Sequence, residues 1–66
     1  MRIARTIYFI VSKSKPTEFY VGLGVMSEVF REAKIFDDQF DAEDEMLLMD
    51  DPDDYEILMG KIEVKI

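Results

Sequence analysis

The stretch DDQFDAEDEMLLMDDPDDYE, residues 37–56, decides how this chain folds. It carries eleven acidic side chains and no basic one. Asp37 and Asp38 stand directly before good helix formers, where their oxygens can accept bonds from free N–H groups and where negative charge suits the helix dipole. The stretch therefore predicts a helix from about residue 38 to residue 49. The Asp- and Pro-rich segment 50–54 ends that helix in a solvated turn.

The predicted helix has two apolar stripes on opposite sides when its residues are placed 100° apart. The first stripe consists of Ala42, Met46 and Met49. The second consists of Phe40 and Leu47, with Leu48 nearer to it than to the first. A helix lying on one sheet needs only one stripe. The second stripe therefore requires another covering surface: a partner subunit, a target protein, or the loop 25–31 folding over it.

The residues before the acidic stretch read as β-structure. In the segment 5–13, RTIYFIVSK, both the odd- and the even-numbered residues from Ile7 to Val11 are apolar. Alternate residues of a strand point to opposite faces, so this run predicts a central strand covered on both faces. Pro16 breaks it and predicts a hairpin turn around residues 13–17. The segment 17–23, TEFYVGL, alternates and predicts a second strand, after which Gly22 and Gly24 mark a bulge or bend.

The segment 25–34 is ambiguous, because Ser27 could cap a short helix or stand in a loop. We expect an irregular or one-turn-helical connection, then a short third strand at 33–36. The segment 55–66, YEILMGKIEVKI, predicts a closing strand, buried on both faces in its first half and on one face in its second. This strand could also pair with its own copy in a second chain.

Together these elements predict an α+β fold of a single domain, residues 1–66. It would have a small antiparallel sheet of three to four strands, with the sequence order strand, strand, strand, helix, strand. One acidic helix would pack on that sheet. A domain of 66 residues without cysteine is near the lower limit for a self-sufficient core, so self-association as a homodimer would add useful burial.

Composition excludes most enzyme chemistry. The chain has no Cys and no His, which removes thiolate and imidazole nucleophiles, bases and metal ligands. A cleft that could separate two catalytic carboxylates is not expected in so small a domain. We therefore predict a protein that is not an enzyme and has no cofactor. The longest early apolar run has five residues, too few for a signal core or a membrane span, so we expect a cytoplasmic protein with no membrane partner.

The net charge of −7 is distributed unevenly along the chain. Residues 1–35 carry +3, residues 36–56 carry −11, and residues 57–66 carry +1. Direct binding to nucleic acid is disfavoured, because that affinity comes largely from Lys and Arg at phosphates. A protein partner with a basic surface fits this charge distribution better.

Two specific functions, metal binding and base stacking, are less well supported by the residues than a solvated charge run and core packing. The acids at 50–56 resemble oxygen ligands, but no calcium-loop pattern begins at Asp37 or Asp50, and a solvated charge run with no metal is preferred. Aromatic residues on the first two strands could form a base-stacking platform, although core packing suits an acidic chain better. These aromatics are Tyr8, Phe9, Phe19 and Tyr20.

The order of motifs resembles short uncharacterised proteins that phages and prophages encode. The matching positions are Tyr20, Val21 and Gly22 in a hairpin strand, Ala33 and Phe36 in the next strand, and Ala42 and Glu43 in the helix. The resemblance covers roughly residues 6–49 and carries over no catalytic residue. It implies an accessory protein acting in the host cytoplasm. Small acidic phage proteins often look like inhibitors of host nucleic-acid-processing or defence factors, some by presenting carboxylates at phosphate-like spacings.

The sequence thus leads to two hypotheses. The first is a non-enzymatic protein that binds a host protein, as an acidic inhibitor or nucleic-acid mimic. The second is a structural or assembly role for a homo-oligomer. The predicted acidic contact residues are Asp41, Asp44, Glu45, Asp50, Asp51, Asp53 and Asp54. The predicted apolar partner or dimer face consists of Phe40, Leu47 and Leu48.

Overall fold

The computed structural model describes residues 2–65. An α+β fold is confirmed: a four-stranded antiparallel sheet carries one α-helix. The strands stand in the order β3-β2-β1-β4 across the sheet. In chain order the elements are β1 (Arg2–Ser12), β2 (Phe19–Gly22), β3 (Val25–Ser27), a 3₁₀ turn (Phe30–Glu32), α1 (Gln39–Leu47), a second 3₁₀ turn (Pro52–Asp54) and β4 (Tyr55–Lys65).

Strand β1 is the centre of the sheet. It pairs with β4 along its whole length, from Arg2 opposite Lys65 to Ser12 opposite Tyr55, and it pairs with β2 on its other side. Apolar residues on both of its faces are buried, namely Ile7, Phe9, Ile10 and Val11. The prediction of a central strand covered on both faces is therefore confirmed.

The two faces of the sheet carry separate apolar clusters. On the helix side, Ile10 packs with Tyr20, Phe36 and Ala42. On the opposite side, the cluster consists of Ile7, Phe9 and Val11, with Phe19 and Ile62 packed against it.

The ring of Phe30 from the first 3₁₀ turn meets those of Phe9 and Phe19 edge-on, with centroids 5.1 and 5.2 Å apart. The four aromatics considered for base stacking are thus divided between the two clusters: Phe9 and Phe19 on one side, Tyr8 and Tyr20 on the other. They form no common platform, and the core-packing interpretation is confirmed.

The third strand was predicted in the wrong place. The structure puts β3 at Val25–Ser27, inside the segment expected to be an irregular or one-turn-helical connection; the rest of that segment does contain one helical turn, the first 3₁₀ turn. Of the predicted strand 33–36, only Phe36 pairs, in an isolated bridge with Tyr8. The reason is a tight turn at Leu23 and Gly24, which returns the chain along β2 instead of leading it away from the sheet.

The burial predicted for β4 is only partly right. Tyr55 and Ile57 are half-buried beneath the helix side, as expected. Leu58 and Met59 are exposed, Met59 by 68%, although the first half of the strand was predicted to be buried on both faces. Because β4 lies at the edge of the sheet, neighbours cover it from one side only. Ile66, which the predicted strand included, lies outside the described residues.

The far end of the β1–β4 pair extends beyond the residues of β1 that pair with β2. Residues 2–6 pair with residues 61–65, and no other strand pairing involves residues 2–6. All five of these β1 residues are exposed. We call this two-stranded segment the arm. It contributes to an elongated shape with extents of 41 × 23 × 18 Å.

The turn between β2 and β3 holds a leucine in an unfavourable backbone conformation. Leu23 has a φ of 53°, in the left-handed region, and its side chain is 99% exposed. This conformation costs a non-glycine residue about 1–2 kcal/mol, and two-residue hairpin turns prefer Asn or Gly there. No buried contact of Leu23 offsets that cost.

Replacing Leu23 by Asn is therefore expected to raise the free energy of unfolding by about 0.5–1 kcal/mol. Urea denaturation followed by circular dichroism measures the change. Leu48→Asn is the matched control, because Leu48 is also exposed but has an ordinary right-handed backbone with φ of −83°. A gain of equal size in both variants would show that backbone strain at Leu23 is not its source.

Candidate protein-binding surface

Helix α1 begins at a capped end that the acidic sequence creates. The Asp38 carboxylate accepts a hydrogen bond from the backbone N–H of Phe40 at 2.8 Å. Asp37, just before the cap, forms an ion pair with Arg5 of β1. This pair and the packing of Ala42, which is fully buried, fix the direction of the helix across the sheet.

The inner stripe of α1 faces the sheet as predicted. Ala42 lies in the buried cluster with Ile10, and Met46 and Met49 pack against that cluster. Alanine at the closest point allows the helix backbone to approach β1, while the flexible methionines fill the irregular space beside it. The helix therefore packs on the sheet with the face that carries Ala42.

The outer stripe of α1 is uncovered. Phe40, Leu47 and Leu48 are 71%, 67% and 85% exposed. The suggestion that the loop 25–31 folds over them is wrong, because that loop forms β3 and the first 3₁₀ turn, and Phe30 packs against Phe9 on the opposite face of the sheet. A partner subunit and a target protein remain as coverings for the outer stripe.

Exposed carboxylates accompany this stripe along the helix and in the segment that follows it. Phe40 and Leu47 are seven residues apart, or about 10.5 Å along the helix axis, and Asp44 lies between them on the same face. The other exposed acids lie on the helix flank and in the turn that follows: Asp41, Asp50, Asp51, Asp53 and Asp54. Together with Phe40, Leu47 and Leu48, these six aspartates form what we call the acidic surface.

Glu45 does not belong to the acidic surface. Its Oε2 atom accepts a hydrogen bond from the Tyr20 hydroxyl at 2.8 Å and an ion-paired hydrogen bond from Lys34 Nζ at 3.1 Å. Three elements are joined in this way, because Tyr20 lies on β2, Lys34 on the connection after the 3₁₀ turn, and Glu45 on α1. Glu45 is predicted from the sequence as a partner contact; its two hydrogen bonds are internal ones that stabilise the fold, and its role toward a partner stays a prediction.

The internal contacts change two pKa values. The hydrogen bond from Tyr20 and the ion pair with Lys34 lower the pKa of Glu45 from its usual 4.5. Burial, followed by the hydrogen bond to Glu45, raises the pKa of the Tyr20 phenol above its usual 10.0. Glu45 therefore contributes stability above pH 4.5 that is lost as the pH falls through its folded pKa. Tyr20 contributes stability below pH 10 that is lost as the pH rises through its folded pKa.

Glu45→Gln is expected to lower the free energy of unfolding by about 1–2 kcal/mol at pH 7, because a charged acceptor is replaced by a neutral one. The difference from the wild type should shrink as the pH falls below 4.5, where the wild-type carboxylate also becomes protonated. Denaturation between pH 3 and pH 7 measures it. Glu28→Gln, which lies outside this network, is the control for the loss of one exposed carboxylate at pH 7 and should change the free energy of unfolding less than Glu45→Gln.

A cleft of about 530 Å³ opens beside the acidic surface. Tyr20, Met49 and Tyr55 contribute partly or fully buried apolar surface to its lining, and Leu23 and Leu48 also line it although both are largely exposed. Carboxylates from Glu45, Asp50 and Asp51 also line the cleft. Apolar walls with carboxylates suit a side chain that has a methylene stem and a cationic head, as Lys and Arg do.

Other chemistry has little support in the part of the chain that the structure describes. No three acidic side chains converge there in a way that could hold a metal ion. No helix within residues 2–65 is both long and apolar enough to cross a membrane. The acidic surface and its cleft are thus the most developed candidate site of the described fold.

The sequence predicts an outer stripe and acids that the structure places at exposed positions, but it does not indicate that Leu23 and Tyr20 line the cleft or that Lys34 pairs with Glu45. The only signal for Leu23 is its position between two glycines, which also fits a plain bulge. Nothing in the sequence pattern pairs Lys34 with Glu45, eleven residues later. Comparison of the chain with protein-family models, with curated proteins and with solved structures finds no match.

Proposed function

We propose that this protein acts without catalysis by binding another protein through the acidic surface, and that the partner has a basic surface. The observation that carries the proposal is the exposed pair Phe40 and Leu47 with Asp44 between them. Protein interfaces gain most of their affinity from a few apolar or aromatic anchors, and surrounding charges add specificity and speed of association. The acidic surface has both kinds of residue.

The charges of this surface are free for a partner. Within residues 2–65, none of the six aspartates takes part in an ion pair; the pairs that exist involve Asp37 and glutamates elsewhere. The net charge of −11 in residues 36–56 produces a strong local electrostatic field. This field attracts a basic surface over about one Debye length, some 8–10 Å.

The cleft gives the proposal a specific anchor point. A Lys or Arg side chain of the partner would lie with its stem against the apolar lining, which includes Leu23 and Leu48, and its charge near Asp50 and Asp51. Leu23 occupies a strained position where Asn or Gly would cost less, and a contact with the partner supplies a reason to keep leucine there. The Leu23→Asn variant should accordingly be more stable but bind more weakly.

The narrower form of the proposal is a phage-type inhibitor of a host nucleic-acid-processing or defence factor, acting in the host cytoplasm. Two points support it. Asp41 and Asp44 are about 4.5 Å apart along the helix axis, comparable to the 3.4 Å rise between phosphates of one DNA strand. The second point is the resemblance of the hairpin and helix motifs to small phage and prophage proteins.

The test is affinity capture from bacterial lysate, followed by measurement with the purified captured protein. The variant Asp44→Asn with Asp51→Asn and Asp54→Asn should lose affinity by at least tenfold at low salt, and added salt should weaken the wild type similarly. The matched control is Glu18→Gln with Glu28→Gln and Glu32→Gln, which removes three carboxylates outside residues 36–56. A partner that binds both triple variants equally well would contradict the proposal.

A structural or assembly role as a homo-oligomer is the second candidate. The observation that favours it is the long outer edge of β4, which no strand within residues 2–65 covers. In this case the oligomer itself would be the functional object, and Phe40→Asp would leave its mass unchanged if β4 forms the contact.

A further inference from the structure

Strand β4 presents the longer of the two sheet edges. It has eleven residues, and the sheet order leaves one side of it unpaired among the described strands. The opposite edge, β3, has only three residues. An edge strand offers a row of N–H and C=O groups to any strand that approaches it, and a longer edge offers more of them. A further strand would therefore add to β4.

An added strand would stabilise the arm more than the rest of the sheet, because the arm has only two strands. Two-stranded antiparallel ribbons are only marginally stable in water, and at least three strands are needed for an independently stable sheet. In the arm, Ile3 lies opposite Val64, and both side chains are about half exposed. A strand added along residues 61–65 would turn the arm into the middle of a wider sheet.

The molecule also exposes more surface than a compact chain of its mass. Its accessible area is 4948 Å², compared with about 4,300 Å² expected for a monomer of this size. The surplus is of the same order as the roughly 800 Å² that each partner contributes to a standard protein interface. There is thus enough unburied area for a stable contact.

The charge pattern of β4 indicates which strand fits. Lys61, Glu63 and Lys65 share one face of the strand, because side chains alternate between faces. If a second β4 runs antiparallel about a twofold axis at Ile62, Lys61 lies opposite the partner subunit's Glu63, and the same ion pair forms again on the other side of the axis. Moving the axis by one residue places Lys61 opposite its own copy, or Glu63 opposite its own copy, which is unfavourable.

We propose that the protein forms a symmetric dimer in which two β4 strands pair antiparallel about Ile62, joining two four-stranded sheets into one of eight strands. On the apolar face of this pairing, Ile62 meets its own copy. Gly60, which has no side chain, lies opposite the branched Val64 of the partner subunit. At about 3.3 Å per residue, the two Tyr55 positions are about 45 Å apart, so each acidic surface stays free at its own end of the dimer.

Charge reversal tests the register. Lys61→Glu and Glu63→Lys, each alone, should raise the dimer dissociation constant about tenfold, because each puts two like-charged pairs across the axis. The double variant, with both changes, restores opposite charges across the axis and should dimerise more tightly than either single variant. It is not expected to match the wild type fully, because Glu63 also forms an exposed ion pair with Arg2 of its own chain, at 3.5 Å, and the change to lysine breaks that pair. Sedimentation equilibrium measures all four proteins. A double variant as weak as the single ones would contradict this register.

Cysteine cross-linking tests the same geometry independently, since the chain has no cysteine of its own. Directly opposed residues in an antiparallel pair have Cα atoms about 4.5–5.5 Å apart, within the range of a disulfide. Ile62→Cys should therefore form a covalent dimer on mild oxidation, and Met59→Cys, on the same strand but opposite Lys65, should not. Cross-linking by Val64→Cys instead of Ile62→Cys would overturn the register.

The mass in solution tests the dimer itself. The wild type should have twice the chain mass at micromolar to millimolar concentration and should not grow beyond it. A monomer throughout this range would overturn the proposal. A mass that keeps increasing would overturn it too, because it would indicate a head-to-tail contact that does not close.

Discussion

Ile10→Ala is expected to lower the free energy of unfolding by about 2–4 kcal/mol, the largest effect on stability among the substitutions considered. Ile10 has no exposed surface and lies where β1, β2 and α1 meet, in the cluster with Tyr20, Phe36 and Ala42. Removing three of its four side-chain carbons leaves a cavity that helix and sheet cannot fully close. For a domain of this length, total stability is about 3–10 kcal/mol, so a large part of it would be lost.

Urea denaturation followed by circular dichroism provides the measurement. Ile3→Ala is the matched control, because Ile3 is the same residue type on the same strand, but in the arm and half-exposed. It should cost under about 1 kcal/mol. If the two variants lost similar stability, Ile10 would not be the centre of the contact between helix and sheet.

Phe40→Asp is expected to weaken binding to the target at least about thirtyfold, the largest effect on binding that the acidic surface predicts. Phe40 is the largest exposed apolar side chain of α1. The replacement should not harm the fold, because it removes no buried contact and adds a negative charge in the first helical turn, where the helix dipole favours one. Loss of binding with unchanged unfolding would therefore be a surface effect.

Isothermal titration with the captured partner measures this affinity, and Val29→Asp serves as the control, because Val29 is also exposed but lies outside α1, directly before the first 3₁₀ turn. The same variants report on self-association. Retained dimer mass with lost target binding would agree with separate surfaces on α1 and β4. Retained target binding with lost dimer mass would instead place the dimer contact on the helix and contradict both proposals.

The sequence was informative where one physical requirement dominates a segment. An apolar run on both parities, Ile7 to Val11, has no stable place except a strand covered on both faces, and β1 is that strand. Asp38 before a run of helix formers marks the start of α1, and its side chain caps the helix. The inner stripe at Ala42 and the exposed stripe at Phe40 follow from helical spacing alone.

Prediction failed where local chemistry permits two outcomes. Gly22, Leu23 and Gly24 suit a bend away from the sheet as well as a tight hairpin turn, and leucine at the first turn position hides the hairpin because asparagine or glycine is usual there. The third strand was misplaced for this reason. The role of Glu45 was missed because its partners, Tyr20 and Lys34, come from separate elements whose meeting only the tertiary fold determines.

The pairing of β1 with β4 also affects how the chain folds. Each residue of β1 meets a residue more than forty positions later in the chain, from Ser12 with Tyr55 to Arg2 with Lys65. Contacts that close such long loops form slowly, because the chain loses conformational entropy before the two strands form their hydrogen bonds and side-chain contacts. During this delay the apolar run of β1 lacks its main neighbour and is prone to aggregate. The net charge of −7 keeps such unfinished chains apart, so the aspartates of the acidic surface protect the protein before there is a surface for a partner to bind.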